Sequence, residues 1–556
     1  MAEISRRSFI AQATATGVTA GAALTAAQVS IAKADEASWW LPESWDYETD
    51  VVIVGFGAAG GASMITACEE GAEVIIIEKG SQVGGGSSSL GGGNITFIND
   101  VEASIEYLHA CNGGYTPEEV ERAWCEIGST TDEWFDDHDI NYAATSGASG
   151  PEFKYIMEDN DFLTTLQMVS ETDPKTQTGG NYFIEYCRNF AEENGVTCLV
   201  STQAYKLVQD PQTKEVLGVL GHGPEGDVAV KARKAVILCT GGFEASETMQ
   251  GDYLRPTPLA QTGWPLNTGD GIKMAMAAGA DLWHMPNVCS TQPTFVEPGK
   301  TIGYAGFAGS WWAGGSGAFF FINRKAKRFM QESPLPFPNF LSQYFFSTYN
   351  EALDQPNDEY LNVPFYMIFD ETQRQAGALY NNIPNGVRQL PDDLKAEYGT
   401  DHVWSADNLE EVEMGWILKA DTIEELAAQI DLLEVEPSVL AETLAHYNEI
   451  CEAQVDDEYG RPAEKNGNPN LVPLNNPQFY ALKLQPALYS TCGGPRKNEK
   501  GQIIDTEGNP IPRLYEAGVL GHISGKVYSC AGMNYAECIN WGRISGANAA
   551  AEQSWE

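Results

Sequence analysis

Length, composition and charge limit the classes of protein to which this chain can belong. It has 556 residues, of which 43% are hydrophobic and 20% charged, the balance of an ordinary globular protein. This length exceeds that of a usual single domain, so two or more packed units are expected. The chain has 33 basic and 77 acidic side chains and a net charge of −44. Nucleic-acid phosphates and anionic lipids repel such an anion, so no nucleic acid is expected as a partner.

The first 34 residues have the pattern of an export signal. Ser5–Ile10 has the twin-arginine form, an apolar stretch of small residues follows, and Ala32-Lys33-Ala34 offers a cleavage site. We therefore predict a twin-arginine signal peptide over residues 1–34 and a mature protein in the periplasm or at the extracytoplasmic face of the cell envelope. The mature chain keeps 30 basic and 76 acidic side chains, a net charge of −46.

The cysteines are scattered and do not form a recognisable motif. There are eleven, none in a C-x-x-C pair and none in a C-x-x-C-H haem attachment site. The pattern favours buried thiols that behave as small apolar side chains. An iron–sulfur cluster built from distant residues such as Cys492, Cys530 and Cys538 remains an alternative, and no other metal site is predicted.

A strand followed by a glycine-rich turn is the first motif with a chemical meaning. Asp50–Val54 is a short β-branched run typical of a buried parallel strand, and a helix-compatible stretch runs from Gly61 to Glu70. Between them, glycines would permit a tight turn, a close approach of the backbone to a pyrophosphate and close helix–strand packing. The candidate cofactor residues of this turn are Gly55, Gly57, Ala58, Ala59 and Gly60.

Three later segments extend the candidate nucleotide site. The second strand, Glu73–Ile77, ends at Glu78, where a carboxylate that binds a ribose hydroxyl is expected, and Lys79 follows. The loop Gly84–Gly93 can wrap a pyrophosphate, and the strand Lys234–Leu238 ends in glycines before a helix over residues 272–279. These segments add the candidates Gly85, Gly86, Ser87, Gly91, Gly92, Gly93, Thr240, Gly241, Gly242 and Asp270.

Together with the C-terminal segments Thr491–Gly494, Gly501–Asp505 and Ile511–Gly518, the order of these motifs resembles the flavoprotein superfamily of fumarate reductase, succinate dehydrogenase and 3-ketosteroid Δ1-dehydrogenase. The resemblance implies an α/β fold, α+β overall, with bound FAD. A Rossmann-like FAD-binding domain would be built from residues 46–290 and 420–556, around an inserted α+β cap or substrate domain over residues 291–419. The motifs also bring Glu516 and Gly518 into the predicted cofactor site.

The mode of FAD attachment follows from the same resemblance. Relatives that bind FAD covalently carry a histidine where this chain has Ser87–Ser89, so non-covalent FAD is expected. Ser146–Ser149 lacks the aspartate of a covalent FMN acceptor and is predicted to be a loop. No haem module and no second glycine fingerprint for a nicotinamide is present. The electrons are therefore expected from another protein, such as a membrane-anchored c-type cytochrome.

The positions with which fumarate reductases clamp a dicarboxylate are changed. The resemblance places their histidines and arginines on Gln292, the Pro334–Phe337 region, Ser490 and Ser529. Two carboxylates would enter such a site without cationic partners, which is unfavourable. Small dicarboxylates are therefore not the expected substrates.

The segment Gly525–Gly532 instead resembles the ketosteroid dehydrogenases and bacterial cardiac glycoside reductases. The resemblance implies that Tyr528 transfers the proton and that the N–H of Gly532 polarises the substrate carbonyl. Phe337 has the ring but not the hydroxyl of a second tyrosine in those enzymes. The alternative for Tyr528 is an ordinary half-buried tyrosine.

The sequence therefore predicts an exported FAD-dependent oxidoreductase that acts on CH–CH groups and reduces the C=C bond of an α,β-unsaturated carbonyl. Aromatic residues of the inserted region, namely Trp311, Trp312, Phe319–Phe321 and Phe337, suit an apolar enone of steroid-like or polycyclic type, or else fill the cap core. One alternative is a reductase of a small unsaturated acid that uses Lys526 or His522. Another is an electron-transfer subunit without its own substrate site.

Overall fold

A computed structural model describes residues 40–145, 150–151, 153, 156–157, 159–170, 179–257, 259–304, 316–332, 353–354, 359–380, 390–399, 402–465 and 467–556. The chain divides into residues 1–42 and residues 43–556. Several predictions fall outside the described residues: the signal peptide over residues 1–34, the loop at 146–149, Trp311, Trp312 and the 334–337 region. In the part of the chain that the structure describes, no helix is both long and apolar enough to cross a membrane.

The helices of the described residues are α1 Ala58–Glu69, α2 Gly86–Leu90, α3 Val101–Asn112, α4 Glu118–Gly128, α5 Thr131–Asp137, α6 Gly179–Glu193, α7 Glu247–Tyr253, α8 Asp270–Ala277, α9 Glu371–Gln375, α10 Asp392–Tyr398, α11 Leu409–Glu413, α12 Ile423–Ala427, α13 Pro437–Ala453 and α14 Met533–Ala551.

The strands are β1 Tyr47–Val54, β2 Val74–Ile77, β3 Asn94–Ile98, β4 Tyr142–Ala144, β5 Leu163–Met168, β6 Thr197–Leu199, β7 Gln203–Gln209, β8 Val216–Gly223, β9 Gly226–Leu238, β10 Ala260–Gln261, β11 Leu282–Trp283, β12 Val288–Thr294, β13 Phe319–Ile322, β14 Leu353–Asp354, β15 Glu359–Tyr360, β16 Phe365–Asp370, β17 Ile417–Ala420, β18 Glu464–Lys465, β19 Asn468–Pro469, β20 Phe479–Thr491, β21 Gly494–Pro495, β22 Gln502–Ile504 and β23 Pro510–Glu516.

The first sheet places both ends of the chain side by side. Its main order is β22-β23-β9-β1-β2-β6, with β8 also paired to β9 and β7 to β8. The pairs of β1 with β2 and β9, and of β9 with β23, are parallel. Val51–Val54 of β1 are buried, as expected for a β-branched run covered on both faces. The fold is mixed α/β, which confirms the predicted class.

The second sheet is mostly antiparallel and is organised by the long strand β20. Strands β12, β16 and β17 all pair with it in antiparallel fashion, β13 pairs with β16, and β10 adds in parallel. One of its apolar cores joins Phe320 and Ile368 of this sheet to Leu426 of α12 and Leu444 of α13. The predicted boundary between residues 419 and 420 therefore lies within a shared core.

Three aromatic residues of the inserted region contribute to the cores of this sheet. Phe319 and Phe321 lie in one apolar cluster and Phe320 in another, and all three are buried. Strand β13 thus presents alternate side chains to two cores, as the period of a strand requires. These phenylalanines fill the core and do not line the cavity described below.

Candidate active site

A cavity of about 440 Å³ opens where strands β1, β2 and β9 end. In parallel α/β sheets this edge is the usual place for a ligand, because the loops that follow the strands meet there. Of the 21 residues predicted for the site, 15 line this cavity. They are Gly55, Gly57, Ala59, Glu78, Lys79, Gly86, Ser87, Gly91, Gly92, Thr240, Gly241, Asp270, Gly518, Tyr528 and Gly532.

The turn between β1 and α1 brings the backbone close to the cavity. Gly55 has φ +100°, and a Cβ there would lie 2.4 Å from the carbonyl oxygen of Cys239. Gly57 is the N-cap of α1, and no side chain caps the helix from this position. The Ala58 N–H donates a hydrogen bond of 3.0 Å to Ser88 Oγ. The N-terminus of α1 therefore faces the cavity with the partial positive charge that favours a phosphate.

The acidic residue at the end of β2 is held by two backbone amides. Glu78 accepts hydrogen bonds from the N–H groups of Phe56 at 2.7 Å and Gly80 at 2.6 Å. Burial raises the pKa of Glu78, and these amides together with Lys79 oppose that effect. The carboxylate is thus fixed in position beside the cavity, where it can accept a further hydrogen bond from a ribose hydroxyl.

Lys79 and Asp270 join the second strand to the start of α8. Lys79 Nζ lies 2.9 Å from Asp270 Oδ2 and 2.7 Å from Thr268 Oγ1. Burial acts to raise the pKa of Asp270, but Lys79, Thr268 and Gln203 together outweigh it and leave that pKa lowered. Asp270 therefore remains ionised at neutral pH, and its ion pair with Lys79 closes one wall of the cavity.

The hydroxyl-rich loop contacts a segment that the sequence analysis did not select. Ser87 Oγ accepts hydrogen bonds from the Trp264 N–H at 3.0 Å and from Asn267 Nδ2 at 3.2 Å. Asn267 Nδ2 also donates at 2.7 Å to Glu244, and burial raises the pKa of this glutamate to about 7. Trp264 and Asn267 line the cavity, but neither stands in a motif that would have identified it.

Three polar residues form the end of the cavity that contains Tyr528. The backbone N–H of Asn534 donates a hydrogen bond of 3.0 Å to the Tyr528 hydroxyl. Its side-chain Nδ2 donates one of 2.9 Å to Ser490 Oγ. Tyr528 is 4% exposed, and burial raises its pKa well above the ordinary value. It therefore carries its proton at neutral pH.

Gly532 stands directly before α14 at this end of the cavity. Its φ is +84°, and a Cβ there would lie 2.8 Å from the backbone nitrogen of Ile95. A side chain at this position would therefore press on strand β3. Asn534 and Tyr535 follow in the first turn of α14 and line the cavity, and Tyr535 donates a hydrogen bond to the carbonyl of Ser88. In the sequence, only their closeness to Gly532 points to Asn534 and Tyr535.

Five of the glycine and alanine residues predicted for the site lie near the cavity without lining it. A Cβ at Gly60 would lie 2.1 Å from the carbonyl oxygen of Gly55, and one at Gly85 would lie 3.2 Å from the ring of Trp264. Gly60 is thus needed for close packing of backbone on backbone, and Gly85 for the close approach of the Trp264 ring. The five are Ala58, Gly60, Gly85, Gly93 and Gly242.

Glu516 was predicted from its motif to bind the cofactor, but it does not line the cavity. It is fully buried, and its Oε1 lies 3.2 Å from Lys497 Nζ. Lys497 also lies 3.9 Å from Glu537, which is 3.9 Å from His522 Nδ1. This buried charged cluster, Lys497–Glu516–Glu537–His522, does not line the cavity, because Glu516 is directed to its lysine. Burial raises the pKa of Glu516 to about 8.

The residues proposed for a small-acid clamp do not line the cavity. His522 is fully buried in the charged cluster, and burial lowers its pKa. Lys526 is exposed. Neither lines the cavity, nor does Ser529, whose Oγ contacts Met533 Sδ at 3.2 Å.

The eleven cysteines are all free thiols. Three of them, Cys239, Cys289 and Cys538, line the cavity. Within the described ranges, no group of three or more histidine, cysteine or acidic side chains is arranged to hold a metal ion.

The residues around the cavity fit a flavin dinucleotide. They supply a helix N-terminus, whose N-cap residue Gly57 has no side chain, for the pyrophosphate, and a fixed carboxylate, Glu78, for the ribose. Asn94 Oδ1 and Thr240 Oγ1 are buried at the cavity wall without a hydrogen-bond partner among the described residues. Buried polar groups are normally satisfied, so these atoms are available to a polar ligand.

Comparison with known proteins gives the same cofactor. The FAD binding domain family matches residues 50–534. Digoxin reductase of Eggerthella lenta is 26% identical, with 99% of this chain and 98% of that protein covered. For 3-oxosteroid 1-dehydrogenase of Mycolicibacterium smegmatis the identity is 26%, with 91% and 97% covered. The fold is similar to the crystal structure of 3-ketosteroid Δ1-dehydrogenase from Sterolibacterium denitrificans, with a TM-score of 0.72, 20% identity, and 91% and 99% covered. The chain therefore belongs to the FAD binding domain family and is an FAD-dependent oxidoreductase.

Proposed function

We propose that this protein reduces the C=C bond of an α,β-unsaturated carbonyl in a steroid-like or polycyclic compound. The observation that carries the proposal is the position of the buried Tyr528, which lines the same cavity as the nucleotide-binding residues and whose pKa burial raises. The names of two relatives, digoxin reductase and 3-oxosteroid 1-dehydrogenase, support a polycyclic substrate.

Bound FAD would supply the hydride that this reaction adds to the β-carbon. Tyr528 supplies the proton to the α-carbon: its O–H bond breaks, a C–H bond forms, and the electron pair stays on the phenolic oxygen. The Asn534 N–H, already bonded to that oxygen, stabilises the negative charge left there. We assign the N–H of Gly532 to the carbonyl oxygen, on which negative charge also builds.

The lining of the cavity favours an uncharged substrate. Apart from tyrosines and cysteines, the ionisable residues among the described lining residues are Glu78, Lys79 and Asp270. Lys79 and Asp270 form an ion pair with each other. A dicarboxylate would meet no arginine or histidine on these walls. Trp264, Tyr489 and Tyr535 add aromatic surface to them, which suits the rings of an apolar enone.

Export and electron supply are further parts of the proposal. The twin-arginine pattern supports export to the periplasm or the extracytoplasmic face of the envelope. A membrane-anchored c-type cytochrome with a basic face is the proposed electron donor, because the mature chain carries a net charge of −46.

A reoxidation assay tests the proposal. FAD-loaded protein is photoreduced without oxygen and mixed with a steroid enone, a small cyclic enone or fumarate, and the flavin absorbance is followed. We expect rapid reoxidation by the steroid enone and little by fumarate. Reoxidation by fumarate alone would instead support a small-acid reductase, and none by any acceptor would support an electron-transfer subunit.

A further inference from the structure

Ser490 is a buried hydroxyl at the polar end of the cavity, close to the end of strand β20. It is 2% exposed and lines the cavity. Its oxygen accepts a hydrogen bond of 2.9 Å from Asn534 Nδ2. Across the described parts of the chain, its own proton has no hydrogen-bond acceptor. A buried hydroxyl normally donates as well as accepts, so the Ser490 proton is available to a ligand in the cavity.

The neighbouring His522 ring favours one of the two orientations of the Asn534 amide. The N–H of Ser524 donates to His522 Nδ1 at 2.9 Å, so the neutral His522 ring carries its proton on Nε2. The side chain of Asn534 acts against the burial that lowers the His522 pKa, although His522 Nε2 and Asn534 Oδ1 are both buried without a hydrogen-bond partner among the described residues. The amide oxygen is therefore favoured on the His522 side, and the amide NH₂ is left for Ser490. If the amide were flipped, its NH₂ group would be on the side of the protonated Nε2 of His522, and two hydrogen-bond donors would oppose each other.

Asn534 thus links two hydroxyl groups in the same way. The oxygen of Tyr528 accepts from its backbone N–H, and the oxygen of Ser490 accepts from its side chain. In each case the bond occupies the oxygen and leaves the hydroxyl proton free to be donated. Accepting a hydrogen bond also polarises an O–H group and strengthens it as a donor.

We propose that Ser490 donates a hydrogen bond to the carbonyl oxygen of the substrate, with Asn534 as the residue that positions both Ser490 and Tyr528. This inference rests on the proposed reduction of an unsaturated carbonyl. The Ser490 hydroxyl would be a side-chain donor to the carbonyl oxygen on which negative charge develops, in addition to the N–H of Gly532. A neutral donor such as the Ser490 hydroxyl suits a ketone substrate. It does not suit a dicarboxylate, whose charge would have no cationic partner there.

Three variants test this role in the FAD-loaded protein. Ser490→Ala removes the donor, and Ser490→Thr restores it. Asn534→Asp keeps the backbone N–H to Tyr528 but presents a carboxylate that draws the Ser490 proton away from the cavity. Ser104→Ala is the matched control, because Ser104 is equally buried and donates to the Phe162 carbonyl outside the cavity.

The first measurement is the rate at which a steroid enone reoxidises the reduced protein. Loss of one well-placed donor to a developing oxyanion lowers the rate by about 10²- to 10³-fold. We expect that loss in Ser490→Ala and Asn534→Asp, with recovery in Ser490→Thr and parental rates in Ser104→Ala. The flavin content should be unchanged in all of them.

The second measurement is the binding of 4-nitrophenol, an oxyanion probe that needs no turnover. Its visible absorbance reports its ionisation in the cavity, and Ser490→Ala and Asn534→Asp should each weaken binding of the anion. Parental enone rates and parental probe binding in Ser490→Ala would overturn the inference and leave the proposed function standing. If the parent reduces no enone but binds the probe through Ser490, the proposed reaction is wrong and the donor site remains.

Discussion

The backbone N–H of Asn534 lies 3.0 Å from the hydroxyl oxygen of Tyr528. Because the donor belongs to the backbone, substitutions of Asn534 other than proline leave it in place. Substitution of Tyr528 therefore tests the role of its hydroxyl separately from the role of the Asn534 side chain. Burial also keeps the phenol protonated, which favours delivery of a proton over its removal.

Replacement of Tyr528 by phenylalanine should separate proton delivery from flavin binding. Tyr528→Phe keeps the ring and the shape of the cavity but has no proton to give. We expect reoxidation of the reduced protein by an enone to slow by about 10²- to 10⁴-fold. Photoreduction of the flavin should be unaffected. Tyr205→Phe is the control, since Tyr205 is 39% exposed and lies on β7. A parental rate in Tyr528→Phe would exclude Tyr528 as the proton donor.

Flavin binding should depend on the absence of a side chain at Gly57. A Cβ at Gly57 would lie 3.4 Å from Ser88 Oγ, so the protein tolerates a small side chain, but valine would fill the space expected for the pyrophosphate. Gly57→Val should fold and contain no FAD, as measured by absorbance and circular dichroism. Gly251→Val is the control, because a Cβ at Gly251 meets no atom within 4 Å and Gly251 does not line the cavity.

The released flavin should be free FAD. Ser87–Ser89 stand where covalent relatives carry a histidine, so acid denaturation of the parent should leave the flavin in the supernatant. Chromatography of that supernatant identifies it. Colour that precipitates with the chain would contradict non-covalent binding.

The buried charged cluster should make stability depend on pH. Burial raises the pKa of Glu516 to about 8. Between the unfolded value of about 4.3 and this value Glu516 binds more protons in the folded chain than in the unfolded chain, so its contribution to the free energy of unfolding falls as the pH rises from about 5 to about 8. Glu516→Gln cannot titrate and should flatten this fall. Denaturant unfolding across that range measures it, with Glu507→Gln, at an exposed site, as the control. An unchanged slope in Glu516→Gln would contradict the prediction.

Electron transfer to the protein should depend on salt. We expect the net negative charge of the chain to attract a basic cytochrome, and salt to screen that attraction to about 8 Å at physiological ionic strength. The rate of flavin reduction by a reduced c-type cytochrome should therefore fall as salt is added. NADH should be a poor donor. Rapid reduction by NADH, independent of salt, would rule against the proposed partner.

The sequence predicted the nucleotide end of the site better than the substrate end. Gly55, Gly57 and Glu78 belong to one continuous strand–turn–helix–strand motif, so their spacing alone places them at the cavity. Trp264 lies just after β10, which reaches the site by pairing with β20, and no local pattern reveals this. Ser490 is identified in the sequence only through the resemblance, as the position of a lost histidine. Glu516 shows the limit of a motif, because Lys497, close to it only in the fold, determines where its carboxylate lies.

Helix α14 has a consequence for how the protein acquires its flavin. The helix packs on α1 through glycines: a Cβ at Gly542 would lie 2.6 Å from Ala62 Cβ, and one at Gly546 would lie 2.7 Å from the Ser63 carbonyl oxygen. It also carries Asn534 and Tyr535 into the cavity. During translation α14 leaves the ribosome long after β1 and α1, so a nascent chain that ends before Met533 has an open site. FAD is therefore enclosed only after synthesis of this helix, and a truncation that removes it should yield a colourless protein.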